Sequence, residues 1–127
     1  MGRTRPKRCE AVLIVEDEPL IAMDIEWMLT REGWAVLGPF RSVGEVLHLL
    51  KDTRPDAALL DYNVCGEAIT PVAERLRALD VPMVVSSADF PLNAPLSEVC
   101  EALRDAKSIG KPIDERRLFD ALNPDRE

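Results

Sequence analysis

"DAALLDYN", residues 56–63, decides how the chain is to be read. Ala57 to Leu60 form an apolar run with no polar alternation, the pattern of a strand covered on both faces. The run closes on a charge, Asp61, and Tyr62 and Asn63 follow. A strand buried on both sides and tipped by a carboxylate fits a parallel sheet flanked by helices. In such sheets ligands lie beyond the carboxyl ends of the strands. "AVLIV" at 11–15 has the same form and stops on Glu16, Asp17 and Glu18.

Outward from these two runs, strands and helices alternate. Pro19 suits the first turn of a helix. Ile21, Ile25, Met28 and Leu29 follow at helical spacing, and Gly33 is a stop. "WAVLG" (34–38) reads as a second strand. Ser42 and Glu45 form a capping box for a helix that turns Val43, Val46, Leu47 and Leu50 inward. After the third strand (56–61), Pro71 opens a helix carrying Val72, Leu76 and Leu79, and "VPMVVS" (81–86) is the fourth strand. The proline-rich "SADFPLNAPLSE" (87–98) reads as irregular, with a helix beginning near Leu96. "AKSIG" (106–110) is a polar fifth strand at a sheet edge, and Asp114 caps a last helix through Leu122. Repeated βα alternation without a linker implies one α/β domain, with a parallel sheet and helices on both faces.

Composition narrows the function. At 127 residues and 46% hydrophobic, the chain can bury a core of its own. Its net charge of -7 gives no electrostatic support for nucleic-acid binding. Arg3, Arg5, Lys7 and Arg8 in "MGRTRPKRCE" read as a solvated basic tail over 1–9 rather than a patch for an acidic partner. No apolar run is long enough for a signal peptide core or a membrane span, which places the protein in the cytosol. Cys9, Cys65 and Cys100 are odd in number and contain no CxxC pair, so neither a disulfide framework nor a zinc site is expected. His48, the only histidine, falls on the outer side of its helix and reads as a surface residue.

The strand tips hold the chemistry. They carry Glu16 and Asp17, then Asp61, then Ser87, then Lys111. Carboxylates crowded at one edge repel one another, and a divalent cation removes that cost. Magnesium prefers oxygen ligands and takes one or two protein carboxylates beside phosphate oxygens. Glu16, Asp17 and Asp61 would form its cup. The Ser87 hydroxyl and the Lys111 ammonium would hold the outer oxygens of a phosphoryl group. Asp61 would then be a nucleophile forming an aspartyl phosphate. Ser87 is preferred over Ser86, read as an inward strand residue, because Ala88 follows it.

"VLIVEDEP", "DAALLDYN", "VPMVVSSA" and "GKP" resemble, in order and spacing, the motifs of a response-regulator receiver domain. The likeness covers residues 10–122 and leaves 123–127 as a short tail. "EDEPLIAMDIEWML" and "LGPFRSVGEVL" look most like the small single-domain receivers of alphaproteobacteria. The resemblance implies a flavodoxin-like, doubly wound, five-stranded parallel sheet of order 2-1-3-4-5. It also implies phosphotransfer from a histidine kinase or histidine phosphotransfer protein, in a protein that is not otherwise an enzyme. Carried over, Asp61 is the phosphoacceptor, Asp17 binds magnesium directly and Glu16 does so through water. The backbone carbonyl of Asn63 is a further ligand, Ser87 contacts the phosphoryl group, Lys111 pairs with it, and the Lys111–Pro112 bond is cis.

Three departures bear on output rather than on phosphorylation. Ser108 stands where the family usually has an aromatic, Val64 and Cys65 replace a Met-Pro pair, and Ala88-Asp89 replace a common Gly-Tyr. With the chain ending at Glu127, the expectation is a receiver without an attached output domain. The alternative is a phosphorylation-independent adaptor with the same fold. A phosphatase of the haloacid-dehalogenase type ranks last, because its general acid would be an Asp at position 63, where this chain has Asn63. Leu20, Met23 and Trp27 form a second apolar stripe on the first helix: an extension of the core, or a docking surface for the phosphodonor.

Overall fold

Apolar residues in the central strands alternate between two sides, and that alternation builds two cores. In the computed structural model, residues 10–61, 63–64, 67–86, 103, 106–109 and 113–122 are described. The order is β1 (Ala11–Val15), α1 (Pro19–Arg31), β2 (Ala35–Phe40), α2 (Val43–Leu49), β3 (Ala57–Asp61), β4 (Asn63–Val64), β5 (Glu67–Ala68), α3 (Thr70–Ala78), β6 (Met83–Ser86), β7 (Lys107–Ile109) and α4 (Glu115–Leu122). The main sheet runs β2-β1-β3-β6-β7, with neighbouring strands parallel, and β4 and β5 form a separate antiparallel pair. The α/β sheet expected from the sequence, with its first four strands ordered 2-1-3-4, is therefore present.

On one side, Leu13, Val15, Ala58, Leu60, Met83 and Val85 pack with Val46 of α2 and Val72 and Leu76 of α3. On the other, Val12, Ile14, Ala57, Leu59 and Val84 pack with Ile25 and Leu29 of α1 and Leu118 and Leu122 of α4. Each strand feeds both clusters, which is why β1, β3 and β6 read as unbroken apolar runs.

The helix ends follow local chemistry. Ser42 accepts a hydrogen bond from the Glu45 amide at 3.2 Å, which caps α2. Asp114 accepts from the amides of Arg116 (2.9 Å) and Arg117 (3.4 Å) at the start of α4. His48 is exposed, as read.

Several strand bounds differ from the sequence reading, for physical reasons. β3 begins at Ala57, and Asp56 before it joins the start of β1 by two bonds: its amide donates to the Ala11 carbonyl at 2.8 Å and its carboxylate accepts from the Ala11 amide at 2.7 Å. β6 begins at Met83, after Pro82, which has no amide to donate. β2 extends to Phe40 rather than ending at Gly38. It does so through a bulge: Leu13 pairs with Leu37 but Val15 pairs with Phe40, so β2 takes three steps where β1 takes two. Gly38, at φ 105°, is needed there. A Cβ would lie 2.7 Å from the Phe40 amide nitrogen and 2.9 Å from the Ile14 carbonyl oxygen. An edge strand tolerates the Pro39 that follows. The helix expected from near Leu96 lies outside the described residues.

Candidate metal centre

Three strand tips meet because the sheet register brings them level. Val15 pairs with Leu60, so the next residue of each strand sets Glu16 beside Asp61, and Asp61 in turn pairs with Ser86. Val12 and Ile14, Leu59, and Val84 lie on the α1/α4 side. The alternation carries Glu16, Asp61 and Ser86 to that same side. The Glu16 amide donates to the Phe40 carbonyl at 2.9 Å, a contact the β2 bulge makes possible. The Glu16 carboxylate accepts from the Glu18 amide at 3.1 Å. Pro19 then starts α1, so the positive end of a helix dipole follows the acids directly.

One carboxylate oxygen from each of Glu16, Asp17 and Asp61 lies within 4.8 Å of the others. Glu16 is 2% exposed and Asp61 7%, while Asp17 is half-buried. Three like charges at this spacing, two of them out of water, repel by on the order of 1 kcal/mol per pair or more. Hard oxygen donors in this number suit a divalent cation of the magnesium or calcium kind and offer no soft ligand for zinc or copper. The cluster could therefore bind such a metal.

Asn63 begins β4 and pairs with Ala68, a short ribbon that two-residue strands leave invisible to sequence periodicity. Ser87 and Lys111 lie outside the described residues, as does the Lys111–Pro112 bond, and position 108 is described only as backbone of β7. Ser86 is an inward strand residue, as read, at the end of β6. It is 1% exposed, beside Asp61, and among the described residues its Oγ has no hydrogen-bond partner. The serine pair was visible in sequence, but which of the two lies level with Asp61 depends on the register.

Leu20, Met23 and Trp27 are 74%, 64% and 59% exposed. That settles them as surface and overturns an extension of the core, which Ala22, Ile25, Met28 and Leu29 supply instead. The Arg31 guanidinium lies 4.5 Å from the centre of the Trp27 ring and also pairs with Glu115 of α4. Among the described residues, no helix is long and apolar enough to cross a membrane.

Comparison with known proteins converges on one family. The model described as "Response regulator receiver domain" matches residues 12–123. The transcriptional regulatory protein PdtaR of Mycobacterium tuberculosis is 30% identical over 115 residues, covering 87% of this chain and 54% of that protein. SdrG from Sphingomonas melonis Fr1 is 36% identical, with a TM-score of 0.74 over 90% of this chain and 93% of that one. The receiver domain of the sensor histidine kinase PA1611 of Pseudomonas aeruginosa PAO1 superposes with a TM-score of 0.74 at 21% identity, over 92% and 97% of the two chains. That structure has a magnesium ion coordinated in its active-site cleft. The chain spans between 30% and 54% of the length of the curated relatives it matches.

Proposed function

The chain belongs to the response regulator receiver domain family of two-component signalling, and we propose that it accepts a phosphoryl group on Asp61 with magnesium held by the acidic cluster. The observation that carries this reading is the meeting of the Glu16, Asp17 and Asp61 carboxylates within 4.8 Å at the strand tips. Asp17 would hold the metal directly, Glu16 through water, and the Asn63 carbonyl would be a further ligand. The bound metal would supply positive charge that screens the acids and draws phosphoryl oxygens to them. An Asp61 oxygen forms the new bond to phosphorus. The bond from phosphorus to the donor breaks, and the leaving group departs with its electron pair. Ser87 would donate to the phosphoryl oxygens and Lys111 would neutralise them. We read β7 as the fifth strand of the doubly wound sheet, residues 10–122 as the functional unit, and the cytosol as its compartment.

Intact mass after incubation with magnesium and acetyl phosphate tests this. A single phosphoryl adduct is expected, absent in Asp61→Asn and blocked by a chelator. No adduct at any magnesium concentration would favour a phosphorylation-independent adaptor, the reading to which Ser108 in place of the usual aromatic lends support.

The donor would be a histidine kinase or a histidine phosphotransfer protein. Leu20, Met23 and Trp27 offer it an exposed apolar stripe on α1, the helix that starts beside the acids. Trp27→Glu is expected to slow transfer from a phosphohistidine donor at least tenfold, a loss of roughly 1.4 kcal/mol. Its uptake from acetyl phosphate should not change. Equal rates from both donors would remove α1 as the docking face.

A further inference from the structure

The phosphoacceptor site as described leaves Ser86 without a role. Its side chain is 1% exposed, and among the described residues its Oγ has no hydrogen-bond partner. A buried hydroxyl with nothing to bond works against the folded state, so its presence calls for a reason. Its neighbours narrow the reason. Ser86 pairs with Asp61 of β3 on one side and with Ile109 of β7 on the other. Ile109 is apolar and 6% exposed, so of the two register partners it is Asp61 that offers Ser86 an oxygen. Adjacent strands lie about 4.8 Å apart and register partners point the same way, which places the carboxyl group within a rotamer change of the hydroxyl.

We infer that Ser86 is a positioning residue for Asp61. Its hydroxyl donates to the carboxyl oxygen that does not take the phosphoryl group. One Asp61 oxygen bonds to phosphorus as the donor's leaving group departs with its electron pair. The other becomes the carbonyl oxygen of the acyl phosphate, and the Ser86 O–H fixes its direction. Ser86 gives up no proton and forms no covalent bond. The first oxygen is thereby aimed at phosphorus, and the carbonyl that later leaves as carboxylate is held in place. This inference rests on Asp61 being the phosphoacceptor.

The test uses the full chain with magnesium and acetyl phosphate, and compares wild type with Ser86→Ala and Ser86→Thr. Ser86→Ala is expected to slow adduct formation at saturating acetyl phosphate about tenfold, the effect of one lost net hydrogen bond in the transition state. The half-saturating acetyl phosphate concentration should stay the same. Ser86→Thr, which keeps the hydroxyl, should recover most of the rate. In the metal-free, unphosphorylated protein the unfolding temperature of Ser86→Ala should equal or exceed that of wild type, since there the hydroxyl has no partner among the described residues. Infrared difference spectra of the phosphorylated proteins give a readout that packing alone would not move. The acyl-phosphate carbonyl band should shift to higher wavenumber in Ser86→Ala and not in Ser86→Thr. Equal rates and an unmoved band in Ser86→Ala would overturn the role of Ser86. So would a Ser86→Thr variant as slow as Ser86→Ala, with both folded. A wild type that takes no adduct would fail differently, because there the phosphoacceptor reading falls first and takes this inference with it.

Discussion

On the amino-terminal side of the strands, Asp56 turns a carboxylate oxygen to the Ala11 amide 2.7 Å away. Arg54 donates to the carbonyls of Leu79 and Asp80, and Arg75 to that of Leu50. At the carboxyl ends, Glu16, Asp17 and Asp61 face one another. Charges on the first side close turns by satisfying backbone groups, and the fold gains from them. Charges on the second side are brought together against their own repulsion, by a register that the two hydrophobic cores enforce. Proximity of like charges in a buried place is the sign that something other than the fold is served.

The contrast can be broken by experiment, beginning with the largest effect. Magnesium at a hundredfold excess over its dissociation constant should stabilise the wild-type chain by about 2.7 kcal/mol. Thermal unfolding reads this as a raised midpoint, and Asp17→Asn should lose most of the rise. A rise of equal size in Asp17→Asn would put the metal somewhere else. Next, the same Asp→Asn change at the two ends should have opposite signs. In metal-free buffer, Asp61→Asn relieves repulsion and is expected to raise stability by on the order of 1–2 kcal/mol. Asp56→Asn turns a charged acceptor into a neutral one and should lower stability by about 0.5–1 kcal/mol. Urea unfolding of the two variants measures both. A loss at Asp61 would mean that its carboxylate closes structure as Asp56 does, and the distinction between the ends would go.

Much of this was readable from the residues. The apolar runs of β1, β3 and β6 gave away strands covered on both faces, and the rule that strand tips hold ligands brought Glu16, Asp17 and Asp61 to one place. Other features escaped because they are not properties of a linear pattern. A 3.6-residue stripe looks the same whether it faces a core or solvent, so Leu20, Met23 and Trp27 could be read either way until their exposure was known. The β2 bulge hides in "LGPF", where glycine and proline resemble a strand's end. Two-residue strands such as β4 and β5 are too short to show any period. Whether the Ser86 hydroxyl finds a partner is a fact of three-dimensional packing, and no spacing of residues encodes it.

The bulge at Gly38 has a consequence for counting along β2. Leu37 and Phe40 are three positions apart, an odd number, yet both pack against the α2/α3 cluster. In a regular strand an odd separation puts two side chains on opposite faces. The bulge leaves the extra residue out of the pairing, and so keeps Phe40 on the side of Leu37. Length and bulge go together at this point in the chain: the same three steps without the bulge would turn the Phe40 ring through the sheet.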